Sequence, residues 1–186
     1  LIDQFERANV PEVALTGGEP FMRKDLPEII KRLTEKKIGV AEIFTNGVLI
    51  TGAILDTFKR FWQRPLFKIS FDGCRTHDYM RGTQDIEAKV IEAIRRVKSG
   101  GFPVTAITSV DRVTRNNLAE TYQLMKELQV DGWWLAPPVE IGNWRGSDTG
   151  LSLEEMVEVC TPLLQRWTAD GGPFRLKLWR FGLFRG

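Results

Sequence analysis

The sequence predicts an α/β fold built on a parallel sheet, and three observations carry that prediction. Short β-branched or aromatic runs alternate with longer amphipathic stretches. One helix separates each strand from the next, which implies right-handed parallel crossovers. No Ser/Gly-rich linker or low-complexity block interrupts the alternation. A barrel, a partial barrel and a doubly wound sheet all satisfy this pattern, and periodicity does not choose among them.

The elements follow in order. LIDQFERANV places Leu1, Ile2 and Phe5 on one helical face, with Pro11 as the stop. Val13 to Leu15 reads as a strand ending in Thr16-Gly17-Gly18-Glu19-Pro20. The next helix takes Asp25 as N-cap and Glu28 as the partner of a capping box, with Pro27 in its first turn. Ala41 to Phe44 is a strand closed by Thr45-Asn46-Gly47, and Ile54, Leu55, Phe58, Phe61 and Trp62 mark a helix. Leu66 to Phe71 is the third strand. A polar loop then carries Cys74, His77, Asp78 and Arg81, and a helix runs from about Ile86 to Ser99, stopped by Gly100-Gly101. Phe102 to Val110 is the fourth strand, and Asn117 with Glu120 makes a capping box before Leu118, Tyr122, Met125 and Leu128. Trp133 to Ala136 is the fifth, its adjacent tryptophans facing opposite sides of the sheet and packing as core. Ser152 with Glu155 caps the helix carrying Met156 to Trp167. Phe174 to Phe181 alternates Phe174, Leu176 and Leu178 with Arg175 and Lys177, as a strand does.

Composition limits the function classes. The chain of 186 residues carries 26 basic and 24 acidic side chains, a formal charge of +2, with 42% hydrophobic residues. That is an ordinary globular balance, which argues against an obligatory nucleic-acid binder. No apolar run approaches a membrane span and the N-terminus lacks a signal peptide's regions, so the expectation is a cytoplasmic protein with no membrane and no nucleic-acid partner. The two cysteines, Cys74 and Cys160, lie far apart without a CxxC or Cys/His cluster, so neither a metal site nor a disulfide framework is supported.

In parallel α/β folds, ligands sit where the strands end, because loops converge there and helix N-termini offer free N–H donors. Four strands end in polar or Gly-rich clusters: Gly17-Gly18-Glu19-Pro20, Thr45-Asn46-Gly47, Ser70-Phe71-Asp72-Gly73 and Ser109-Val110-Asp111-Arg112; Pro137, Pro138 and Glu140 follow the fifth. Turn chemistry alone accounts for any one of these. A glycine pair also allows close backbone approach to a ligand, and Glu19 offers a carboxylate to an ammonium group or caps the following turn. GGEP has the spacing of neither GxGxxG nor GxxxxGK[ST], and its acid repels phosphate, which excludes nucleoside-triphosphate binding there. Arg81 is the complementary contact for a ligand carboxylate. Asn46 faces a ligand or serves as the left-handed residue of an Asn-Gly turn. His77, a lone imidazole, reads as a cap or surface contact rather than a proton shuttle.

The segments LTGGEPFMRKDLPEII, IFTNG and ISFDG with HDYMRG, on successive strand ends, together resemble the radical S-adenosylmethionine superfamily downstream of its cluster-binding loop. ISFDGCRTHDYMRGT is similar to the group that often carries a cysteine-rich SPASM or twitch domain, including anaerobic sulfatase maturases and other peptide-modifying enzymes. The resemblance implies a partial (β/α)6 TIM-like barrel of parallel strands, with the first strand missing. It also implies S-adenosylmethionine and a [4Fe–4S] cluster as cofactors of the full-length protein. Reductive cleavage then yields a 5′-deoxyadenosyl radical that abstracts hydrogen from a substrate, for which a peptide or protein is the expectation. Gly17, Gly18, Glu19 and Pro20 inherit the hold on the methionyl amine. Ser70 and Asp72 inherit the ribose and methionyl contacts, Arg81 the carboxylate, and Asn46 a place beside the cofactor or substrate. Catalytic residues beyond these are not indicated.

The family's CxxxCxxC trio is absent, and neither Cys74 nor Cys160 has a second cysteine at ligand spacing. The expectation is therefore a single domain over residues 1–186, truncated at its N-terminus, inactive as it stands and unable to hold a stoichiometric cluster. Residues 174–186 form its last strand or the start of a C-terminal extension. An electron donor for the cluster and dimerisation through the exposed edge of the Val13–Leu15 strand are the further partner expectations. The alternative is a cluster-free degenerate barrel that binds a peptide or protein.

Overall fold

The computed structural model describes residues 1–138, 146 and 148–178. Glu140 and residues 179–186 of the expected C-terminal segment lie outside the described residues. Six strands lie in one open sheet in the sequential order β1-β2-β3-β4-β5-β6 and run parallel. The chain divides into two compact units, residues 1–70 with 89–105, and residues 71–88 with 106–186.

The first unit contains α1 (Ile2–Arg7), β1 (Glu12–Leu15), α2 (Leu26–Glu35), β2 (Gly39–Thr45), α3 (Gly52–Arg60) and β3 (Leu66–Ser70), together with most of α5 (Glu87–Ser99). Period-two alternation sorts the faces of β3. Phe67 and Ile69 are fully buried, and Phe67 meets Phe58 and Phe102 edge to face at 5.8 and 5.4 Å between ring centroids. Lys68 points the other way with Phe44, which is level with it on β2. Lys68 is 3% exposed, donates to Glu42 Oε2 at 2.6 Å and lies 4.7 Å over the Phe44 ring. A register shift between Val13 and Ala14 lets both Val40 and Ile43 of β2 pack into the core.

The second unit holds α4 (His77–Arg81), β4 (Val104–Ser109) from Ala106 on, α6 (Leu118–Glu127), β5 (Gly132–Ala136), α7 (Leu153–Ala169) and β6 (Arg175–Leu178). Its core centres on Tyr122, Trp133 and Phe174, whose rings meet pairwise at 5.5 to 6.4 Å. Trp133 is the inward member of the tryptophan pair and donates its indole N–H to Thr108 Oγ1 at 2.8 Å. Trp134 faces the opposite side, half-buried, with Lys177 Nζ 4.1 Å over its ring, so a cation contact joins the packing role expected of it.

Three capping expectations have different outcomes. Ser152 and Glu155 form the full reciprocal box at the start of α7. Asp25 does not cap α2, because Arg23 takes both its carboxylate oxygens at 2.9 and 2.6 Å. Asn117 does not cap α6; its amide donates to Cys74 O at 2.9 Å, and Glu120 pairs with Arg75. In the first case Arg23 occupies the acceptor oxygens themselves; in the second the side chain is committed through its Nδ2 to the Cys74 carbonyl. Among the described residues no helix is long and apolar enough to cross a membrane.

Candidate functional site

In the first unit the GGEP segment and the end of β2 are joined through one carboxylate. Glu19 Oε1 accepts from Thr45 Oγ1 at 2.8 Å and from Phe21 N at 3.2 Å, while Oε2 accepts from Asn46 N at 2.8 Å. Glu19 therefore does cap the following 3-10 turn Pro20–Met22, and it also ties that turn to the end of β2. A carboxylate has about four acceptor positions, so three donors fix its orientation and leave one on Oε2. Pro20 is buried at the first position of the turn, where its missing N–H costs nothing. Thr45, 5% exposed, completes the arrangement: its hydroxyl serves Glu19 and accepts from Gly47 N at 3.0 Å. Sequence reasoning placed Thr45 in the cluster without giving it this role.

Gly17 and Gly18 are exposed above this carboxylate's loop. Gly17 has φ +143°, a conformation that favours glycine, whereas Gly18 does not. Nothing lies within 4 Å of where a Cβ would stand on either residue. The fold does not demand glycine at 18, and the open space beside it suits a ligand approaching the backbone. Asn46 is exposed and its Oδ1 accepts from Val48 N at 3.0 Å. It is not the left-handed residue of the turn; Gly47 is, at φ +83°. Ser70 closes β3, half-buried, and its hydroxyl makes no hydrogen bond among the described residues.

The second unit builds a separate cluster on Asp72, which is almost fully buried. Arg81 Nη2 meets Asp72 Oδ2 at 2.8 Å, and Ser109 N donates to Oδ1 at 3.1 Å. Arg81, the expected carboxylate binder, is thus already paired, with its side chain 36% exposed and further donors left over. His77 and Arg81 stand one helical turn apart on α4 and both reach back to Asp72. The Asp72 N–H donates to His77 Nδ1 at 3.0 Å, so Nδ1 carries no proton. The 3.7 Å approach of Nδ1 to Asp72 Oδ2 is therefore not an ion pair. His77 is 1% exposed and stacks on Phe71 at 5.2 Å, a buried residue and not the surface contact expected. Burial pushes its pKa down from the ordinary value, Arg81 adds to the fall, and Asp72 and Asp78 oppose it.

Asp78 performs the third task of α4. Its carboxylate accepts from the N–H groups of Asp85, Ile86 and Glu87 at 2.7, 3.1 and 2.7 Å, capping α5, and these bonds hold its pKa below the usual range. Gly73 makes the tight turn at φ +97°. Asp111, which follows β4, is fully buried; its Oδ1 caps the next turn through Val113 N and Thr114 N, and Oδ2 has no hydrogen-bond partner. Sequence reading grouped Asp111 with the strand-end residues but gave no sign of its burial.

The cysteines do not fit an iron–sulfur cluster. Both are buried free thiols in the second unit, burial raises both pKa values, Cys160 to about 11, and no group of three metal-binding side chains exists among the described residues.

Six parallel strands joined by helices define an α/β partial TIM-like fold, with carboxylate, glycine and amide groups at its strand ends. The Radical SAM superfamily model matches residues 1–125, two-thirds of the chain, and the chain belongs to that superfamily. It is 30% identical over 129 residues to an AdoMet-dependent heme synthase of Methanosarcina barkeri, covering 68% of this chain and 36% of that protein. It is 27% identical over 177 residues to the PqqA peptide cyclase of Granulibacter bethesdensis, covering 89% and 44%. The chain thus spans less than half the length of these curated relatives. In fold it is similar to Streptococcus suis SuiB bound to S-adenosylmethionine, with TM-score 0.79, 16% identity, and 98% of this chain and 43% of that one covered. The likeness holds for SuiB bound to precursor peptide SuiA, with TM-score 0.77.

Proposed function

We propose that this chain is the core of a radical S-adenosylmethionine enzyme, and that Gly17, Gly18 and Glu19 hold the methionyl ammonium of that cofactor. The observation that carries the reading is the Glu19 carboxylate, aimed by Thr45, Phe21 and Asn46 with one acceptor position left on Oε2. An ammonium donates and does not accept, so it suits that remaining position. Gly17 and Gly18 leave the backbone beside it open to a ligand. When bound, S-adenosylmethionine supplies hydrogen-abstraction chemistry through its deoxyadenosyl group. Ser70, in the same unit, offers a free hydroxyl. The described residues provide no ligand set for an iron–sulfur cluster, and the reading rests on none.

The substrate class we favour is a peptide or protein. The PqqA peptide cyclase among the relatives and SuiB with its precursor peptide among the similar structures support it, while the heme synthase keeps small-molecule chemistry within the same superfamily.

Calorimetric titration of this chain with S-adenosylmethionine tests the assignment. Saturable binding is expected, weakened about 5- to 100-fold in Glu19→Gln through loss of a charge-assisted contact. Equal affinity of the two proteins, both folded by circular dichroism, removes Glu19 from the site.

A further inference from the structure

A cavity, independent of that reading, lies within the first unit between the Pro20–Met22 turn and the N-terminal halves of α2 and α3. It measures about 150 Å³, and its walls are Phe21, Leu26, Pro27, Ile30, Ile54 and Phe58. Leu26 and Ile30 are one turn apart on α2, as are Ile54 and Phe58 on α3, so each helix presents one apolar stripe to it. The hollow opens to solvent at its charged margin, and its apolar walls leave room for a single benzene-sized group.

The polar groups at its margin narrow the occupant. The Thr57 hydroxyl is already bonded to Ala53 O at 2.9 Å and asks nothing of a ligand. Arg23 is committed to Asp25 through two hydrogen bonds. Lys24 also lines the cavity, is exposed, and makes no ion pair among the described residues. The site therefore offers an apolar interior with one uncommitted ammonium. Glu28, in the first turn of α2, opposes a doubly charged phosphate more than a single carboxylate, for which one lysine suffices.

We propose that this cavity is a binding site for a small amphipathic carboxylate, a ring or branched alkyl group with a carboxylate at the end of a short arm. The apolar part fills the space between α2 and α3, and the carboxylate meets Lys24 at the mouth. NMR titration of the chain with 3-phenylpropionate, 3-phenylpropanol and 3-phenylpropylamine provides the test. Saturable shifts of the Ile30 and Ile54 methyl signals are expected, with the acid bound about two- to fivefold more tightly than the alcohol and the amine weakest, as for an exposed ion pair. Lys24→Gln, an exposed change that leaves the core intact, brings the acid to the affinity of the alcohol. Ile54→Trp, its fold checked by circular dichroism, abolishes binding of all three. Absence of saturable methyl shifts overturns the site; equal affinities of acid and alcohol, unaltered by Lys24→Gln, overturn its carboxylate class.

Discussion

The backbone N–H of Asp72 donates to Nδ1 of His77 at 3.0 Å, and this contact fixes the imidazole as the neutral tautomer with its proton on Nε2. Protonating Nδ1 places two donors face to face inside a buried site. Desolvation and the Arg81 charge disfavour the cation further, outweighing Asp72 and Asp78, so the folded pKa lies below the ordinary 6.5. Between those two values the unfolded chain binds more protons than the folded one. Stability is therefore complete above about pH 6.5 and declines as pH falls toward the folded value. His77 is the chain's one histidine, so its imidazole signals report the titration directly. His77→Gln, which keeps an acceptor for the Asp72 N–H, is expected to flatten the melting temperature between pH 6.5 and 5. A slope equal to that of the parent chain rejects this account.

Arg81 neutralises a carboxylate that is 4% exposed. Arg81→Met leaves Asp72 with only Ser109 N at Oδ1 and Oδ2 unanswered, an arrangement the folded state tolerates poorly. Because the Arg81 side chain is about one-third exposed, the loss is expected at ~1–3 kcal/mol in urea denaturation, below that of a wholly buried pair. Arg81→Lys recovers part of it. Asp72→Asn combined with Arg81→Met costs less than the two single changes summed, which a double-mutant cycle reads directly.

The strand-and-helix order was legible because each element keeps its period over several residues, and five of the six strands appear within two residues of the positions that alternation gives them. For the sixth, alternation extends over Phe174 to Phe181, of which Arg175–Leu178 forms the strand and 179–181 lie outside the described residues. The candidate site was legible only as a set of polar strand ends. Nothing local indicates that Glu19 spends three of its acceptor positions on residues up to 27 places away, or that His77 is buried under Phe71. These contacts follow from which strand ends become neighbours, a tertiary fact. The Asp25 and Asn117 caps failed for the same reason: a helix-start residue accepts the strongest partner in reach, and periodicity does not reveal Arg23 folding back or the Cys74 carbonyl arriving from a distant loop.

The Lys68–Glu42 pair yields a further test. Lys68 is 3% exposed while the Glu42 side chain is 34% exposed, so the lysine bears most of the desolvation. Glu42→Gln removes the carboxylate charge facing a buried ammonium and is expected to lower stability by ~1–3 kcal/mol. Glu42→Gln with Lys68→Met removes the charge together with its partner and recovers most of that loss. Chemical denaturation of the four proteins decides it; a double change as unstable as Glu42→Gln shows that Lys68 contributes through contacts other than Glu42.

Three glycines separate the demands of the fold from those of a ligand. At Gly73 a Cβ meets Thr76 Oγ1 at 2.9 Å and Thr121 Oγ1 at 3.3 Å, on top of a φ of +97°. Neither threonine yields cheaply: Thr76 donates to Asp72 O at 2.7 Å, and Thr121 accepts from Cys74 N at 3.1 Å. Gly73→Ala is therefore expected to cost ~2–4 kcal/mol from strain plus overpacking. Gly17→Ala meets no atom within 4 Å and pays only for its φ of +143°, ~1–2 kcal/mol. Gly18→Ala meets neither obstacle and loses chain entropy in the unfolded state, so its stability is expected unchanged or higher by up to ~1 kcal/mol. The same Gly18→Ala change fills the open space beside Glu19. Thermal melting beside S-adenosylmethionine titration then gives opposite signs for one substitution: a melting temperature held or raised, and affinity reduced. Unreduced affinity in this variant means that the gap at Gly18 is not where the cofactor approaches.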